Sequence, residues 1–391
     1  MIEELTFYEF FAGGGMARAG LGNDWECLFA NDFSEMKAET YRANWGADHF
    51  QLSDVAKVRT TDLPGRADLA WASFPCQDLS LAGNCRGLGE ASADVHTRSG
   101  TFWTFWSLMT QLQDQARAPR LIVLENVFGT ITSRGGRDFV AICDALTGAG
   151  YRFGAVVIDA KHFLPQSRPR LFFVAVAQDI AIPTWLTQSA ADCIWHPAPL
   201  RTAHARLPDA AEGQWIWWNM APPPMRTIGF SDIIEERPTN CRLHTAAETE
   251  RLLAMMNPLH LGKVEQARAS GQQQIGGVYK RTRPDSNGVR RQRAEVRFDD
   301  IAGCLRTPGG GSSRQTILIV KRDSVKSRLL SPREAARLMG LDDAFILPSR
   351  YNDAYHIAGD GVCVPVVRFL ANRILEPVLA LAESNKKAMA A

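Results

Sequence analysis

The stretch "LTFYEFFAGGGMARAGLGNDWECLFAND", Leu5 to Asp32, decides the fold. Leu5–Phe11 is apolar and aromatic, the pattern of a buried strand. "GGGMARAGLG" turns on glycine and then carries helix formers, and "ECLFAND" (Glu26–Asp32) is a second strand that ends in an acid. Strand, glycine turn and helix together make a cradle for an anionic group at a helix N-terminus.

The same alternation continues outward from that stretch. Phe33–Asn44 has helical spacing, and "ADLAWASF" (Ala67–Phe74) is a further buried strand. Thr101–Ala116 sets Phe102, Phe105, Trp106, Met109 and Leu112 at three-to-four spacing, which predicts a helix. "RLIVLENV" (Arg120–Val127) is an apolar strand closed by a carboxylate, and Ala155–Ile158 and Leu171–Ala177 supply two more strands. Strands that alternate with helices predict an α/β fold with a mainly parallel sheet covered on both faces. In such folds ligands bind beyond the carboxyl ends of the strands, where the Gly13 loop, Asp32, Cys76 and Glu125 all fall.

After Gln178 the texture changes to proline, glycine, tryptophan and arginine with weak periodicity, which predicts a second, smaller lobe. The expected domains are 1–180 for catalysis and cofactor, 181–305 for the second lobe, and 306–391 returning to the first. "SPREAARLMG" offers Ser331 as N-cap, Pro332 at the first helical position and Glu334 three after the cap, a capping box. "CVPVVRFLANRILEPVLALA" predicts a closing helix on the first lobe, and the tail "NKKAMAA" is expected to fray.

Composition bounds the rest. A hydrophobic content of 46% and charge of 22% in 391 residues fit an ordinary globular protein with one or two lobes. The eight cysteines form no C-x-x-C pair, so neither a zinc site nor a disulfide framework is expected, and reduced thiols fit a cytosol. The N-terminus lacks a basic leader and no apolar run is long enough for a bilayer, so the expectation is a soluble intracellular protein with no membrane partner. A net charge of +2 decides nothing about nucleic acid, because local patches matter more than the sum.

Several residues carry candidate chemistry. Asp32 follows Gly13 by nineteen residues, a spacing that suits a carboxylate on ribose hydroxyls. A dinucleotide fingerprint would need a third glycine where Arg18 stands, so an adenosyl ligand without pyrophosphate fits better than NAD. Asp54 follows a third strand-like segment, where it could accept from an adenine amino group. Cys76, in "SFPCQDLSLAG" (Ser73–Gly83), sits where a strand ends and a polar loop begins, stiffened by Pro75. A free thiol has a pKa of about 8.5, and favouring its thiolate supplies up to roughly 2 kcal/mol of activation. Glu125 ends a strand with no other charge between Leu121 and Val127, a setting that raises a carboxyl's pKa and lets it carry a proton. Gln166, Arg168 and Arg170 alternate before a strand, so both guanidiniums are expected on one face. Lys280, Arg281, Arg283, Arg290, Arg291, Arg293 and Arg297 make a basic stretch, loosened by Gly276, Gly277 and Gly288, that suits phosphate contact and base readout. Trp215, Trp217 and Trp218 are expected in the core of the second lobe rather than between bases.

Taken together these pieces resemble the cytosine-C5 DNA methyltransferases, in the order that family carries them. "FFAGGG" looks like its first motif, "PCQ" its nucleophile motif, "ENV" its glutamate motif and "QSRPR" its Q-x-R-x-R motif; "SPREAARLMG" resembles the ninth and "GDGVCVPV" (Gly359–Val366) the tenth. The resemblance covers roughly residues 5–177 and 300–380. It implies a Rossmann-like, S-adenosylmethionine-dependent fold with a target-recognition lobe. It also implies methyl transfer to a cytosine flipped out of double-stranded DNA, in a cytoplasmic monomer that meets the nucleoid through its substrate. By that similarity Cys76 is the nucleophile, Glu125 meets N3 of the base, Arg170 holds its O2 and Arg168 supports the site or a phosphate. Phe11, Gly13, Gly15, Asp32, Phe33, Asp54, Val55, Pro75, Asp360 and Val362 line the cofactor. Gln77 and Ser80, with Arg281, Arg283, Arg290, Arg291 and Arg293, meet DNA, and the loop through Asn84–Gly89 closes as a lid. A tRNA substrate and an inert DNA-binding relative are the rival readings. The chain departs from the family pattern at Ser73 and Met16, where glycine is common, and at Asp360, where asparagine is common.

Overall fold

The computed structural model describes residues 4–75, 88, 101–284, 288–307, 314–322 and 324–390. The chain divides into two units, one of Met1–Asp159, Pro169–Pro223 and Val362–Ala391, the other of Ala160–Arg168 and Pro224–Gly361.

Long apolar runs build the sheet of the first unit: β1 (Leu5–Phe10), β2 (Trp25–Asp32), β3 (Phe50–Leu52), β4 (Leu69–Ala72), β5 (Leu121–Val127), β6 (Tyr151–Asp159) and β7 (Pro169–Ala177). They lie in the order β3-β2-β1-β4-β5-β7-β6, parallel from β3 to β5, with β7 antiparallel to both its neighbours. Both faces are covered, so β4 and most of β5 are apolar throughout rather than alternating. The helices α1 (Met16–Leu21), α2 (Glu35–Trp45), α3 (Thr101–Asp114) and α4 (Arg137–Gly148) follow β1, β2, β4 and β5 in the chain. The apolar stripe foreseen in α3 is buried, and Phe105 meets Phe10 of β1 edge-on at 5.0 Å. Strand order reverses between β1 and β4, and the crevice at such a switch point is where an open α/β sheet holds its ligand.

The closing segment is a helix α12 (Val364–Leu370), one π turn (Ala371–Leu375) and α13 (Glu376–Ala390). It packs on α1 at Gly20, where a Cβ would fall 2.4 Å from Val367, so only glycine permits the approach. Trp25 Nε1 donates to Glu376 (3.0 Å), and Arg120 bridges Asp68 (3.1 Å) and Glu383 (2.5 Å). The expected frayed tail is instead helix through Ala390, consistent with its alanine, lysine and methionine content.

The expected boundaries need correction. Residues 181–223, assigned from composition to the second lobe, belong to the first unit, which also holds β8 (Thr187–Gln188), β9 (Trp217–Trp218), α5 (Ala198–His204) and α6 (Asp209–Glu212). Gln214 and Ile216 bond to both backbone groups of Phe153 in β6, and Gly154 leaves room for the Ile216 carbonyl. Trp215 packs on Phe139 and Phe153, and Trp218 is fully buried. Trp218 is a core residue as expected and the half-buried Trp215 packs on the core, both in the first unit, while Trp217 is half-buried. Residues 306–361, expected to return to the first unit, belong to the second.

The second unit carries an antiparallel sheet in the order β11-β10-β12-β13: β10 (Gln274–Pro284), β11 (Arg290–Arg297), β12 (Thr316–Lys321) and β13 (Ser324–Leu329). Helices α8 (Ala246–Ala254) and α9 (Pro258–Ala269) supply Leu252 and Val264 to a core with Val278, Val296, Leu318 and Val320. The unit also holds α7 (Phe230–Ile233), α10 (Pro332–Arg337) and α11 (Tyr351–Asp360). The basic stretch is therefore a paired ribbon rather than a loosened segment. Gly276 is there because a Cβ would lie 2.7 Å from the Phe298 ring. The foreseen capping box at Ser331 is present: its hydroxyl accepts from Glu334 N (3.1 Å), and Glu334 accepts from Ser331 N (2.7 Å).

Candidate active site

The first turn after β1 is held open by its own backbone. Phe11 has φ 58°, Gly13 φ 58° and Gly15 φ 78°, a run in the left-handed region that glycine tolerates best. Asp32, at the carboxyl end of β2, is 5% exposed and ties the turn down. One carboxylate oxygen accepts from Gly13 N (3.0 Å), the other from Ser34 N (2.9 Å). Each oxygen keeps a lone pair for a further donor. A Cβ on Gly13 would meet nothing within 4 Å, whereas one on Gly15 would strike Trp45 at 2.3 Å. Open space therefore lies beside Gly13, and Gly15 is fixed by packing. Phe33, next to Asp32, exposes 69% of its surface. Asp54 follows β3 and accepts from Ala56 N (2.9 Å), while Val55 behind it is buried. An open glycine turn, a buried acid, an exposed ring and a second acid at adjacent strand ends fit an adenosyl group.

Arg18, the residue that argued against a dinucleotide, is held under the same loop. Its guanidinium contacts Tyr41 Oη (3.2 Å) and His49 Nε2, and lies over the Trp45 ring at 5.1 Å. The imidazole is the acceptor in that contact, and burial followed by the Arg18 charge lowers the His49 pKa. Glu9 of β1 is buried beside it; one oxygen accepts from Arg18 N (3.4 Å) and the other has no hydrogen-bond partner. Burial pushes the Glu9 carboxyl up to about 8.

Glu125 and Arg170 meet at the far side of the switch point. Glu125 stands near the carboxyl end of β5 at 7% exposure, and Arg170 of the neighbouring β7 places Nε 3.2 Å from its Oε1. The absence of other charge within β5 was legible, but the partner on the antiparallel strand was not. Asn126, beside Glu125, ties the strand end to the segment after β4. Its amide donates to Phe74 O (3.1 Å), while its oxygen accepts from Val127 N (2.8 Å) and Thr130 Oγ1 (3.2 Å). It thereby fixes the backbone two residues ahead of Cys76. Ser73, a departure from the family pattern, uses its hydroxyl to accept from the buried Trp71 indole (3.0 Å). Met16, another, is buried at the start of α1.

Arg168 departs from expectation. It precedes β7 rather than standing in it, so the alternation that was to set both guanidiniums on one face does not apply. It is 3% exposed and belongs to the second unit, where it donates to the carbonyls of Leu305 (3.0 Å), Gly359 (3.0 Å) and Gly361 (2.8 Å). Gln166 works beside it, donating to Leu338 O (2.7 Å) and accepting from Leu305 N (3.0 Å). Arg168 is a buried clamp on these backbone carbonyls; of its two expected roles, support of the site or contact with a phosphate, its burial favours the first. Asp360 lies between two of the clamped carbonyls and accepts from Thr307 Oγ1 (2.6 Å). Val362, the first residue back in the first unit, is buried.

Cys76, Gln77 and Ser80 lie outside the described residues, as does the expected lid except for Leu88. Leu88 is buried, and its N–H donates to Asp138 Oδ1 (3.1 Å). Among the described residues no cluster of potential metal ligands occurs.

The family model for C-5 cytosine-specific DNA methylases matches residues 5–376. The chain belongs to that family. It is 24% identical to the type II methyltransferase M.HpaII of Haemophilus parainfluenzae, over 96% of this chain and 90% of that one. It is 26% identical to the DNA-cytosine methyltransferase of Escherichia coli K12, over 95% of this chain and 77% of that one. M.BsuFI of Bacillus subtilis is 33% identical, but over 46% of this chain and 41% of its own length. Among solved structures, the Entamoeba histolytica methyltransferase EhMeth superposes with a TM-score of 0.59 at 13% identity, covering 97% of this chain and 98% of that one. The Dnmt2 methyltransferase of S. pombe does so with a TM-score of 0.55 at 15% identity, covering 96% and 99%. These likenesses give the methylase fold, a mainly parallel seven-stranded sheet with a separate antiparallel sheet, in agreement with the expected class.

Proposed function

We infer that this methylase-family chain transfers a methyl group from S-adenosyl-L-methionine to C5 of a cytosine flipped out of a specific duplex DNA sequence. The observation that carries this reading is the Glu125–Arg170 pair, 3.2 Å apart at the carboxyl end of β5. N3 and O2 are adjacent atoms on the edge of cytosine. A carboxyl and a guanidinium side by side match them, the one holding a proton at N3 and the other donating to O2.

The chain's groups then divide the work. Cys76 adds its thiolate to C6 and pushes electron density toward C5. Glu125 keeps a proton on N3 as charge builds on the ring, and Arg170 steadies O2. When bound, S-adenosylmethionine supplies a sulfonium methyl that the electron-rich C5 accepts. Phe11, Gly13 and Gly15 would border it, Asp32 would meet the ribose and Phe33 the adenine. Asp54 would take the adenine amine, with Val55, Pro75, Asp360 and Val362 near the remainder. Loss of the C5 proton to a base restores the ring double bond and expels the Cys76 thiolate. Flipping the base costs a few kcal/mol of stacking and pairing, which contacts to the extruded base and backbone must offset.

Double-stranded DNA as partner is supported by the ribbon of β10 and β11. Its register sets Arg281 opposite Arg293, Arg283 opposite Arg291 and Pro284 opposite Arg290. Like charges directly opposite are destabilising in a free sheet, and a polyanion removes that cost. A two-stranded ribbon also fits the major groove, where arginine pairs with guanine O6 and N7. Among the described residues no helix is long and apolar enough to cross a membrane, and a monomer working on DNA in the cytoplasm is the setting we propose.

Labelled methyl from S-adenosylmethionine should appear in duplex DNA and not in tRNA assayed beside it. Cys76→Ser should abolish transfer. Label in tRNA alone would move the substrate to the rival class, and no transfer from folded protein to any duplex would overturn the reading.

A further inference from the structure

The second unit contains a cavity of about 450 Å³ whose lining includes Arg242, His244, Arg314, Arg350, Tyr351 and Asn352 and no carboxylate. Three guanidiniums thus converge on one space. Arg314 is the fixed one. Its Nε and Nη2 both donate to Asn352 Oδ1 (3.0 Å from Nε), and its guanidinium lies over the Tyr351 ring at 5.5 Å. That ring is itself held, by Tyr355 stacked at 5.9 Å and by its hydroxyl donating to Leu330 O (2.6 Å). An amide oxygen and a ring face orient a guanidinium without neutralising it. Among the described residues no carboxylate comes within ion-pair distance of Arg314. The other two stand exposed at the rim. Arg242 has a two-point partner in Glu248 (2.7 and 2.8 Å), while Arg350 reaches Asp353 only at 3.8 Å. The long Arg350 contact holds weakly enough for that side chain to turn toward a stronger anion, whereas Arg242 stays on Glu248.

We propose that this cavity binds a phosphate group of a nucleotide, with Arg314 as the preset contact and Arg350 closing on it from the rim. Guanidinium matches phosphate through paired, charge-assisted hydrogen bonds. The volume exceeds what inorganic phosphate needs and lies in the range of pockets that hold a nucleotide-sized ligand. The first turn of α11 opens on the same wall, and its amides add to the field without making a site of themselves. The phosphate has two possible sources: the backbone of a bound duplex, which rests on the function proposed above, or a free nucleotide, which does not.

The test uses the full chain, wild type, Arg314→Gln and Arg350→Gln, with Arg314→Lys as a charge-retaining control. Duplex affinity is measured against salt, and deoxyadenosine 5′-monophosphate is titrated calorimetrically. If the duplex is the source, Arg314→Gln weakens binding several-fold and lowers the slope of log K against log salt by about 0.9, and lysine restores most of it. If a free nucleotide is the source, the titration shows saturable binding that Arg314→Gln abolishes, with the duplex slope unchanged. Should Arg314→Gln not fold, the exposed Arg350→Gln gives the same readouts with smaller effect. No nucleotide binding, together with duplex affinity and slope equal in all variants, overturns the proposal. The nucleotide titration involves no methyl transfer, so it stands or falls apart from the enzymatic reading.

Discussion

Glu9 shows what a single buried carboxyl does to the molecule. It stands in β1 under the glycine turn with Arg18, Asp32, Cys27 and Tyr41 around it, and burial outweighs the Arg18 charge. Its ordinary pKa of 4.5 rises to about 8 in the fold. Between those values the folded chain holds a proton that the unfolded chain has lost. Stability from this group is therefore whole below about 4.5 and is lost as pH rises through about 8. Glu9→Gln should flatten the decline of denaturant stability across that window, by on the order of a few kcal/mol at its upper end. An unchanged profile would mean that Glu9 is ionised and solvated in the fold. None of this was legible in "FYEFF", where Glu9 looks like one acid in an apolar run. Asp32 was legible, because a fixed spacing from a glycine turn reflects local geometry. Asn126 was not, because its partner Phe74 follows the end of another strand, β4, and only the sheet order brings the two together.

At the scale of elements, the first unit was readable because strands buried on both faces are continuous apolar runs. The second was not. The outer ribbon of β10 and β11 sets arginine against arginine, which masks its hydrophobic period, and its glycines suggest looseness where one of them, Gly276, in fact clears the Phe298 ring. The capping box at Ser331 was legible, but its reach was not. Glu334 also accepts from both terminal nitrogens of Arg328 (2.8 and 2.6 Å) and from Glu235 N (2.7 Å), and both charged residues are essentially buried. Removing one partner of such a pair leaves the other charge buried without compensation, at a cost of about 3–5 kcal/mol. Glu334→Ala should lower the denaturant midpoint of the second unit accordingly, and Ser331→Ala, which loses the cap and the hydroxyl's bond to Glu235 (2.7 Å), by about 1–2 kcal/mol. Equal effects would mean that the ion pair is not the anchor of α10.

Across the whole molecule, composition set the domain borders away from where packing divides the chain, while the motifs pointed to the family to which the chain belongs. Proline and tryptophan after Gln178 look like a new lobe, yet strand-edge bonds to Phe153 keep residues up to Pro223 in the first unit. Packing, which composition does not report, draws the line. The near-neutral sum of charge likewise hides a ribbon that is strongly basic on its own. Arg281→Gln with Arg293→Gln should reduce the salt slope of duplex binding by up to roughly two units, if both arginines meet phosphate. Should one of them meet a guanine instead, its loss costs about 1–3 kcal/mol and relaxes the sequence preference at one position. Identical binding by wild type and the double variant would remove the ribbon from the DNA interface.

The most direct measurement of the covalent chemistry uses a duplex carrying 5-fluorocytosine at the target position, incubated with the full chain and S-adenosylmethionine and resolved under denaturing conditions. Fluorine cannot leave as the C5 proton does, so the thiolate stays bonded to C6. A denaturant-stable complex whose mass is chain plus DNA plus one methyl group, mapped to Cys76 and missing in Cys76→Ala, is the predicted result. Methylation of ordinary duplex DNA by the same preparation with no such complex, or a complex mapped to another residue, would contradict it.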